Sequence, residues 1–580
     1  MSLIAFRNAL FGYGRDSFVG DLDNESFSFS VSVCFTCNYI IGTGFLTIPF
    51  AFHSSGWLLS AMVLIGLGFL SIMSIAMILE AMARAGIVNR LRNEPYTNSG
   101  NSAIGSSRNN SNEKDVVKMN NYSAVSTDDN SISNSLNNSN HSSNNDDNIL
   151  QTKSQSQNQE TDSISRSGSV ASDGQSSRRS STRRSIPTME PFDIDNREPL
   201  VVEEQKYELT ELCEMYIGTH FRSFYAIIIA VYMYGCLWVF SAVFSKALAY
   251  HITIDEDVHM SYSLYLFLFG CIVIPASCME LKEQVIVQVT LAALRVLVIS
   301  LMIFTILPSF WNTHDKNGFS NKPFWDEEEG QLNDVGKTEP FVISNAHHIF
   351  TIGAYAFIFH HSIPALSQPV GNKKSLLAIF STTILFCLAA YILLGVLLSM
   401  YFGNELEQSA NLNWSSYVDI HHHVPRATLL REVIGGFIVL FPALDVASAF
   451  PLNAITLGNS LMSAYYGPTL YRSFCKDRFK VAIFRILSAT PPIIAAACVH
   501  DLGSLTAWTG LTGLIIIFII PPILCIASSE IVKDAGYSDI THYSSLLTSR
   551  VAIYATLFAG GSLICYCCYC LATVPPKENV

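Results

Sequence analysis

Five ionisable side chains lie within stretches of the sequence that are otherwise apolar, and their types are suited to chemistry. Asp445, Glu80 and Arg295 carry charge, and His360 and His361 are adjacent imidazoles. A charged group inside a membrane is costly, so such residues by default mark a solute pathway, a proton relay or an ion pair. Which of these roles each residue has depends on the helix that contains it and on the groups that face it.

Asp445 and His360 are the candidates for proton coupling. A carboxyl group kept from water favours its neutral form, and an unperturbed imidazole titrates near neutral pH. The alternatives are an ion pair between Asp445 and a basic residue of a neighbouring helix, and a hydrogen-bonded packing role for His360. Glu80 and Arg295 are interpreted as structural, paired with each other or with backbone groups.

The composition is that of a membrane protein. Of the 580 residues, 49% are hydrophobic and 14% are charged, and the mean hydropathy is +0.31, which is too apolar for a soluble protein of this size. Runs of about 20 apolar residues, the length that crosses a bilayer, predict an all-α polytopic protein with about eleven spans. These spans cover residues 30–52, 57–83, 221–249, 261–279, 285–310, 343–366, 376–402, 433–457, 481–499, 505–527 and 551–571. The first, sixth, eighth and ninth contain Gly, Pro or polar interruptions.

The distribution of Lys and Arg sets the predicted orientation. With the N-terminus in the cytosol, the even-numbered loops hold the basic clusters, which include Arg90, Lys282 and Lys373, and the odd-numbered loops are short or acidic. The C-terminus is then lumenal or extracellular. The sequence leaves open whether the membrane is the plasma membrane or that of a vacuolar or endosomal compartment.

Outside the membrane, the chain divides into four predicted parts. Residues 1–29 form a cytosolic N-terminus, and residues 575–580 form a lumenal or extracellular tail. Residues 85–204, between spans 1–2 (30–84) and spans 3–11 (219–574), are rich in Asn and Ser and cannot bury a core, so we predict a disordered cytosolic loop. Residues 205–218 are predicted to form a short interfacial helix. Its apolar face holds Leu209, Leu212, Cys213, Tyr216 and Ile217.

Two kinds of modification site follow from this topology. RRSSTRRS at residues 178–185 puts Arg pairs before Ser181 and Ser185, which favours a basophilic kinase, and a solvated charged linker is the alternative. A kinase or scaffold is therefore a candidate partner of the cytosolic loop. In a predicted outer loop, Asn413 begins the glycosylation sequon Asn-Trp-Ser.

The first span, which contains NYIIGTGFLTIPFAF at residues 38–52, is interrupted by Gly42, Thr43 and Gly44. A broken helix is tolerated in hydrocarbon only where the freed backbone groups face protein or a water-filled cavity. The N–H groups of Thr43, Gly44 and Phe45 are candidates to bind a carboxylate, and carbonyls near Tyr39 and Ile40 are candidates to bind a cation or an ammonium. The alternative is a close helix contact through small residues, with Pro49 bending the helix.

The sixth span repeats this interruption five spans later, with Gly353 and Ala354 as its small residues and Pro364 beyond the histidine pair. Two broken helices in corresponding positions of two halves indicate an inverted-repeat transporter with its solute between the halves. Freed carbonyls near the break would hold the ammonium of the solute. These candidates are Ile352, Gly353, Ala354 and Tyr355, and the candidates for the side-chain pocket are Phe357 and Tyr234.

The first break and Pro49 resemble the first-helix signature of the amino acid/auxin permease superfamily, which includes the sodium-coupled neutral amino acid transporters. Several segments together resemble the transmembrane protein 104 family. They are GTGFLTIPFAFHSSGWLLS (42–60), ILEAMARA (78–85), HHSIPAL (360–366), FPALDVASAFPLNAITLGNS (441–460) and PPIIAAACVHDLGSLTAWTG (491–510). The resemblance implies eleven helices, of which the first ten form two inverted repeats of five in a LeuT-like fold, with the first and sixth broken.

The resemblance also implies a coupling site. In the sodium-coupled relatives, an Asn four residues before the first Gly of the signature contributes to the sodium site, and Asn38 holds that position. A hydrogen bond between helices is the alternative role. The eighth span does not place the relatives' Thr at the equivalent point, so sodium and protons both stay open as the coupling ion. The coupling candidates are Asn38, Gly42, Asp445, Ser448 and His360.

The sequence therefore predicts a secondary active transporter of amino acids or similar small zwitterionic solutes, working by alternating access as a proton or sodium symporter. The alternative is a membrane solute sensor or scaffold that does not transport and signals through the cytosolic loop. No enzymatic set, cofactor, metal site or nucleic-acid partner is predicted. Successive side chains of a helix point in different directions, which disfavours metal binding by the cysteines at 565–570.

Overall fold

The computed structural model describes residues 26–93, 199–203, 207–252, 254, 258–279, 284–311, 338–415, 425–474, 477–499 and 501–573. Ten helices within these residues are long and apolar enough to cross a membrane, and a bent helix pair raises the count to as many as eleven. The predicted all-α polytopic architecture is confirmed at this level. Ser181, Ser185 and nearly all of the predicted disordered loop lie outside the described residues.

The first span is two helices, as its Gly-Thr-Gly sequence predicts. Helix α1 covers Phe29–Ile40 and α2 covers Gly44–Ser55, and their axes bend by 62° at the break. Pro49 lies inside α2. The bend is therefore at the glycines and not at the proline.

The other helices follow the predicted spans in order. The second span is α3 (Trp57–Asn93), and the short helix α4 (Leu209–Tyr216) precedes the third. The third to fifth spans are α5 (Thr219–His251), α6 (Val258–Cys278) and α7 (Gln284–Trp311). The seventh to ninth are α10 (Leu376–Phe402), α11 (Pro425–Phe474) and α12 (Arg478–Cys498). The tenth consists of α13 (Leu502–Phe518) and α14 (Ile520–Asp534), and the eleventh is α15 (Arg550–Thr573).

The sixth span is also interrupted, one turn later than its small residues predict. Helix α8 covers Ala346–Phe357, and Ile358 then has an extended backbone with ψ 113°. A 3-10 turn at His360–Ser362 and the short helix α9 (Ile363–Ser367) follow. Pro364 at the start of α9 fits this position, because a helix start needs no N–H from that residue.

Helix α8 is held by close approaches on two sides. A Cβ at Gly44 would lie 2.8 Å from Cα of Ala356, and a Cβ at Gly510 of α13 would lie 1.9 Å from the carbonyl oxygen of Thr351. Both distances are shorter than side chains allow, so only glycine permits these contacts. The half-helices α2 and α8 are therefore pressed together next to both breaks.

The helix predicted at residues 205–218 is present as α4. Leu209, Leu212, Cys213 and Tyr216 are buried, and the Tyr216 hydroxyl donates to the carbonyl of Ala81 in α3. Ile217, predicted on the same face, is 40% exposed, because the helix ends at Tyr216. The location of α4 at a membrane interface stays a prediction.

Glu80 does not pair with Arg295. It pairs with Arg84, one turn away in α3, and both side chains are 3% exposed. The Arg84 guanidinium also donates to the carbonyl of Cys525 at 3.3 Å, to Oγ of Ser528 at 3.1 Å and to the carbonyl of Asp539 at 3.0 Å. This arginine therefore joins α3 to α14 and to the segment after it.

The segment after α14 receives the end of the long loop. Leu200 forms an isolated parallel β-bridge with Thr541, and Oδ2 of Asp539 lies 2.7 Å from both Nζ of Lys533 and Oγ of Ser529. Burial alone would raise the pKa of the Asp539 carboxyl, but the hydrogen bonds from Lys533 and Ser529 outweigh burial and hold its pKa below the usual value. The loop end thus pairs with the same segment that accepts hydrogen bonds from Arg84.

We expect Arg84→Ala to lower the free energy of unfolding by about 3–5 kcal/mol, because it leaves the Glu80 carboxylate buried without its partner. Arg90→Ala in the same helix is the matched control. Arg90 pairs with Glu203 while 75% exposed, and losing such a pair costs about 1 kcal/mol or less. Denaturant titration of the two purified variants in detergent measures both values, and equal losses would contradict the assignment.

Candidate functional site

The two helix breaks meet in the interior of the protein. Helix α2 packs against α8, and Oγ1 of Thr43 lies 2.7 Å from the hydroxyl oxygen of Tyr355. Thr43 is the last residue of the first break, and Tyr355 lies in the last turn of α8. The predicted solute-binding residues Thr43 and Tyr355 are thus in direct contact.

Tyr391 of α10 bridges the carbonyls at the two breaks. Its hydroxyl lies 3.3 Å from the carbonyl oxygen of Ile40 and 3.3 Å from that of Ala356, and its ring is 1% exposed. Gly42 also donates its N–H to the Ile40 carbonyl at 2.7 Å. Tyr391 was not among the predicted site residues, although a tyrosine in the middle of the apolar seventh span was a signal for it.

Two of the four predicted solute-binding carbonyls of the sixth span lie before the last turn of α8. Ile352 and Gly353 lie inside α8, where their carbonyls are within the helix, and a Cβ at Gly353 would lie 2.9 Å from a methyl of Leu67. Gly353 therefore packs against α3. The carbonyls at the end of a helix are those of its last turn, which here runs from Ala354 to Phe357.

The two glycines of the first break have different surroundings. A Cβ at Gly42 would meet no atom within 4 Å, whereas a Cβ at Gly44 would overlap Ala356. Gly44 therefore has the close-packing role that was the alternative interpretation of this motif. Gly42 instead borders open space at the break.

Hydrogen bonds of Tyr39 connect the C-terminal end of α1 to the break in the sixth span. The Tyr39 hydroxyl lies 2.5 Å from Oγ of Ser362 and 3.2 Å from Nε2 of His361. His360 is fully buried, with its Nε2 3.4 Å from the carbonyl of Ser71. Within the described ranges, Nδ1 of His360 and Nδ1 of His361 have no hydrogen-bond partner. Of the two, His361 is the one in contact with the first span.

Tyr234, predicted in the side-chain pocket, points away from the breaks. Its hydroxyl donates to the carbonyl of Leu487 in α12 at 3.1 Å. Tyr232 is the tyrosine of α5 next to the site, with its ring centre 5.6 Å from that of His361. Side chains two positions apart in an α-helix point in directions about 200° apart, so Tyr232 and Tyr234 face opposite sides of α5. Phe357 does lie at the site, with its ring 5.5 Å from Tyr391.

A buried ion pair lies beside the end of α1. Nη2 of Arg295 in α7 lies 2.6 Å and 2.8 Å from the two carboxylate oxygens of Asp445 in α11, and Nε lies 3.2 Å from Oδ2. Nη1 donates to the carbonyl of Asn38 at 2.7 Å and to its Oδ1 at 2.9 Å. Arg295 is 6% exposed and Asp445 is 4% exposed. Asp445 is therefore ion-paired, which was the alternative to proton coupling.

Two further predicted residues have local partners. Oγ of Ser448 donates to the carbonyl of Asp445 at 3.1 Å within α11. Asn413 lies in a 3-10 turn at Ala410–Trp414, where its Nδ2 donates to the carbonyl of Glu405 at 2.8 Å. Glycosylation of Asn413 stays a prediction.

Known proteins similar to this chain agree with the resemblance read from its motifs. The family model described as transmembrane amino acid transporter protein matches residues 26–109. The transmembrane protein 104 homolog of Dictyostelium discoideum is 24% identical over 530 residues, which cover 89% of this chain and 91% of that protein. Transmembrane protein 104 of Homo sapiens is 23% identical over 547 residues, with the same two coverages. The homolog of Drosophila melanogaster is 25% identical over 532 residues, covering 86% and 88%.

We expect Tyr391→Phe to loosen both breaks, because it removes the hydroxyl shared by the carbonyls of Ile40 and Ala356. An unsatisfied buried polar group costs about 1–3 kcal/mol. Tyr262→Phe is the matched control, since the Tyr262 hydroxyl donates to the carbonyl of Ala496 at 2.9 Å, away from the breaks. In hydrogen exchange, only Tyr391→Phe should speed exchange in peptides covering residues 40–46 and 356–362. Unchanged exchange there would contradict the bridging role.

Proposed function

From the similarity of this chain to the transmembrane protein 104 family over most of its length, we propose that it is a secondary active transporter of amino acids or similar small zwitterionic solutes. The observation that carries the proposal is the contact of two helix breaks at Thr43 and Tyr355. A rigid bundle gains nothing from two broken helices, whereas a solute site is formed from them. The match to a transmembrane amino acid transporter model at residues 26–109 supports the same solute class.

The polarity of the two half-helices suits a zwitterion. Helix α2 begins at Gly44, so its positive dipole end and first N–H groups lie at Thr43, Gly44 and Phe45, where a carboxylate would bind. Helix α8 ends at Phe357, so its negative end lies there. The carbonyl of Ala356 accepts from Tyr391, which leaves those of Ala354, Tyr355 and Phe357 as the candidates for an ammonium group. An amino acid carries both groups one carbon apart. It would therefore span the space beside Gly42.

The order of the spans supports an inverted-repeat arrangement of the LeuT-like kind. The broken helices are the first and the sixth, five spans apart, which is the spacing that two repeats of five helices require. In such a protein, rocking of one group of helices against the other exposes the site to each side of the membrane in turn. Coupling to protons or sodium would supply the driving force.

Gly42→Leu tests the site, because its side chain would fill the open space at the break. We expect uptake of labelled amino acids into reconstituted vesicles to vanish in Gly42→Leu and to fall partially in Gly42→Ala. Neither substitution meets a steric clash at its Cβ. Gly66→Leu is the matched control, since a Cβ at Gly66 of α3 also meets nothing within 4 Å. Unchanged flux in folded Gly42→Leu protein would overturn the site assignment.

One observation favours the alternative function of a sensor that signals through the long loop. The loop end is attached to the helix bundle by the Leu200–Thr541 bridge and by the Arg90–Glu203 pair. Such attachments would let a change in the bundle reach the loop. The same attachments are also compatible with a transporter whose loop is regulatory.

Deletion of residues 96–193 separates the two functions, because it removes the loop and keeps Leu200 and Glu203. We expect amino acid flux in vesicles to remain within about twofold of the full chain, since the deletion keeps every residue that forms the two breaks. Loss of flux with retained solute binding, measured as a rise in Tm on adding the solute, would favour the sensor. A variant with residues 96–193 replaced by a Gly/Ser linker of equal length controls for the shortened connection.

A further inference from the structure

We propose that the guanidinium of Arg295 is the resident cation of an oxygen site formed by Asn38 and Asp445. The protein would then bind no sodium ion at this site, and its transport would be independent of sodium. The independence of transport from sodium rests on the proposed function. The occupation of the site by Arg295 concerns binding alone and can be tested without flux.

The site consists of four oxygen atoms brought together from two helices. Asn38 supplies its carbonyl and its Oδ1, and Asp445 supplies both carboxylate oxygens. Asn38 lies in the last turn of α1, the negative end of that helix. Oxygens of this kind at a half-helix end are the ligands that hold coupling cations in transporters with broken helices.

The break itself frees the Asn38 carbonyl. In a continuous helix the N–H of Gly42 would donate to it, but Gly42 donates to the carbonyl of Ile40 instead, at 2.7 Å. Nη1 of Arg295 donates to the Asn38 carbonyl in its place, at 2.7 Å. A cation is thus supplied from α7 at the point where the first span loses its own donor.

The guanidinium uses all three of its nitrogens in this site. Nη1 contacts Asn38, and Nη2 and Nε contact Asp445. The side chains of Arg295 and Asp445 are nearly fully buried, and Asn38 is partly buried, so the carboxylate oxygens are shielded from water. A sodium ion added to them would lie next to a fixed positive charge in a medium that screens poorly, and the like charges would repel.

The Glu80–Arg84 pair shows what a purely structural ion pair looks like in this protein. Its two partners lie one turn apart in the continuous helix α3. Arg84 also donates to carbonyls of α14 and of the segment after it, whereas Arg295 connects α7 to α11 and donates to a carbonyl at a helix break. An arginine is covalently tethered and permanently charged, so it can neutralise Asp445 but cannot be exchanged with either solution. A sodium gradient has no means of acting through it.

Arg295→Ala should convert this resident cation into an exchangeable one. In the purified full-length variant, millimolar guanidinium chloride or sodium chloride should raise Tm by about 2 °C or more relative to choline chloride at equal ionic strength. The wild-type protein should show no difference between sodium and choline. Arg295→Lys retains the charge and should respond weakly or not at all. Arg84→Ala, which also breaks a buried ion pair, is the matched control and should not respond to sodium.

Flux measurements extend the test to transport. In vesicles, wild-type uptake should be equal in sodium and choline media, and Arg295→Ala uptake should fall about tenfold or more in choline and recover several-fold with sodium or guanidinium. Sodium-dependent stability or uptake of the wild-type protein would overturn the proposal, whatever the variants do. So would an Arg295→Ala variant that folds and responds to neither cation. Absence of flux for every solute, with the Tm results as expected, would refute only the transport function.

Discussion

The hydrocarbon of a membrane offers no hydrogen bonds to an interrupted helix, so the freed backbone groups must find partners in the protein or in a water-filled cavity. This constraint governs the arrangement around residues 38–44. The Asn38 carbonyl accepts from Arg295, and the Ile40 carbonyl accepts from the N–H of Gly42 and the hydroxyl of Tyr391. The same Tyr391 hydroxyl takes the carbonyl of Ala356 at the second break. The interruptions are stable because other helices supply their donors.

The need for donors connects the broken helices to the rest of the bundle. Arg295 and Tyr391 come from α7 and α10, and Arg295 is held in turn by Asp445 of α11. Any movement of α1 that separates it from α7 must give up the two hydrogen bonds from Arg295 to Asn38. Such contacts favour a few discrete arrangements of the helices over a continuous range, because partly broken buried networks are costly.

The two buried ion pairs illustrate how position gives similar chemistry different roles. Removing two charges from water costs more than a typical ion pair returns unless further hydrogen bonds complete it. Arg84 is completed by carbonyls of α14 and of the segment that follows, which fixes helices to one another. Arg295 is completed by a carbonyl at a break, which places a permanent positive charge beside the candidate site. The residues are alike, and the difference lies in which backbone carbonyls they contact.

The sequence by itself determined the order of the candidate membrane helices that the described residues contain, because the length and apolarity of a span are local properties. It also located the first break, since Gly42 and Gly44 are local signals for it. It placed the second break one turn early, because Gly353 proved to be a packing contact with Leu67, which no local pattern reveals. It chose Tyr234 over Tyr232, since an apolar helix shows no face that distinguishes them.

Only the tertiary structure decided which groups satisfy one another. Asp445 and Arg295 are 150 residues apart, and Tyr391 reaches carbonyls that are 351 and 35 residues away. Hydrophobic periodicity orients a helix toward a core but does not select its partner. For Asp445 the sequence left two roles open, proton exchange and an ion pair. The distance to one guanidinium on a neighbouring helix settled that it is paired.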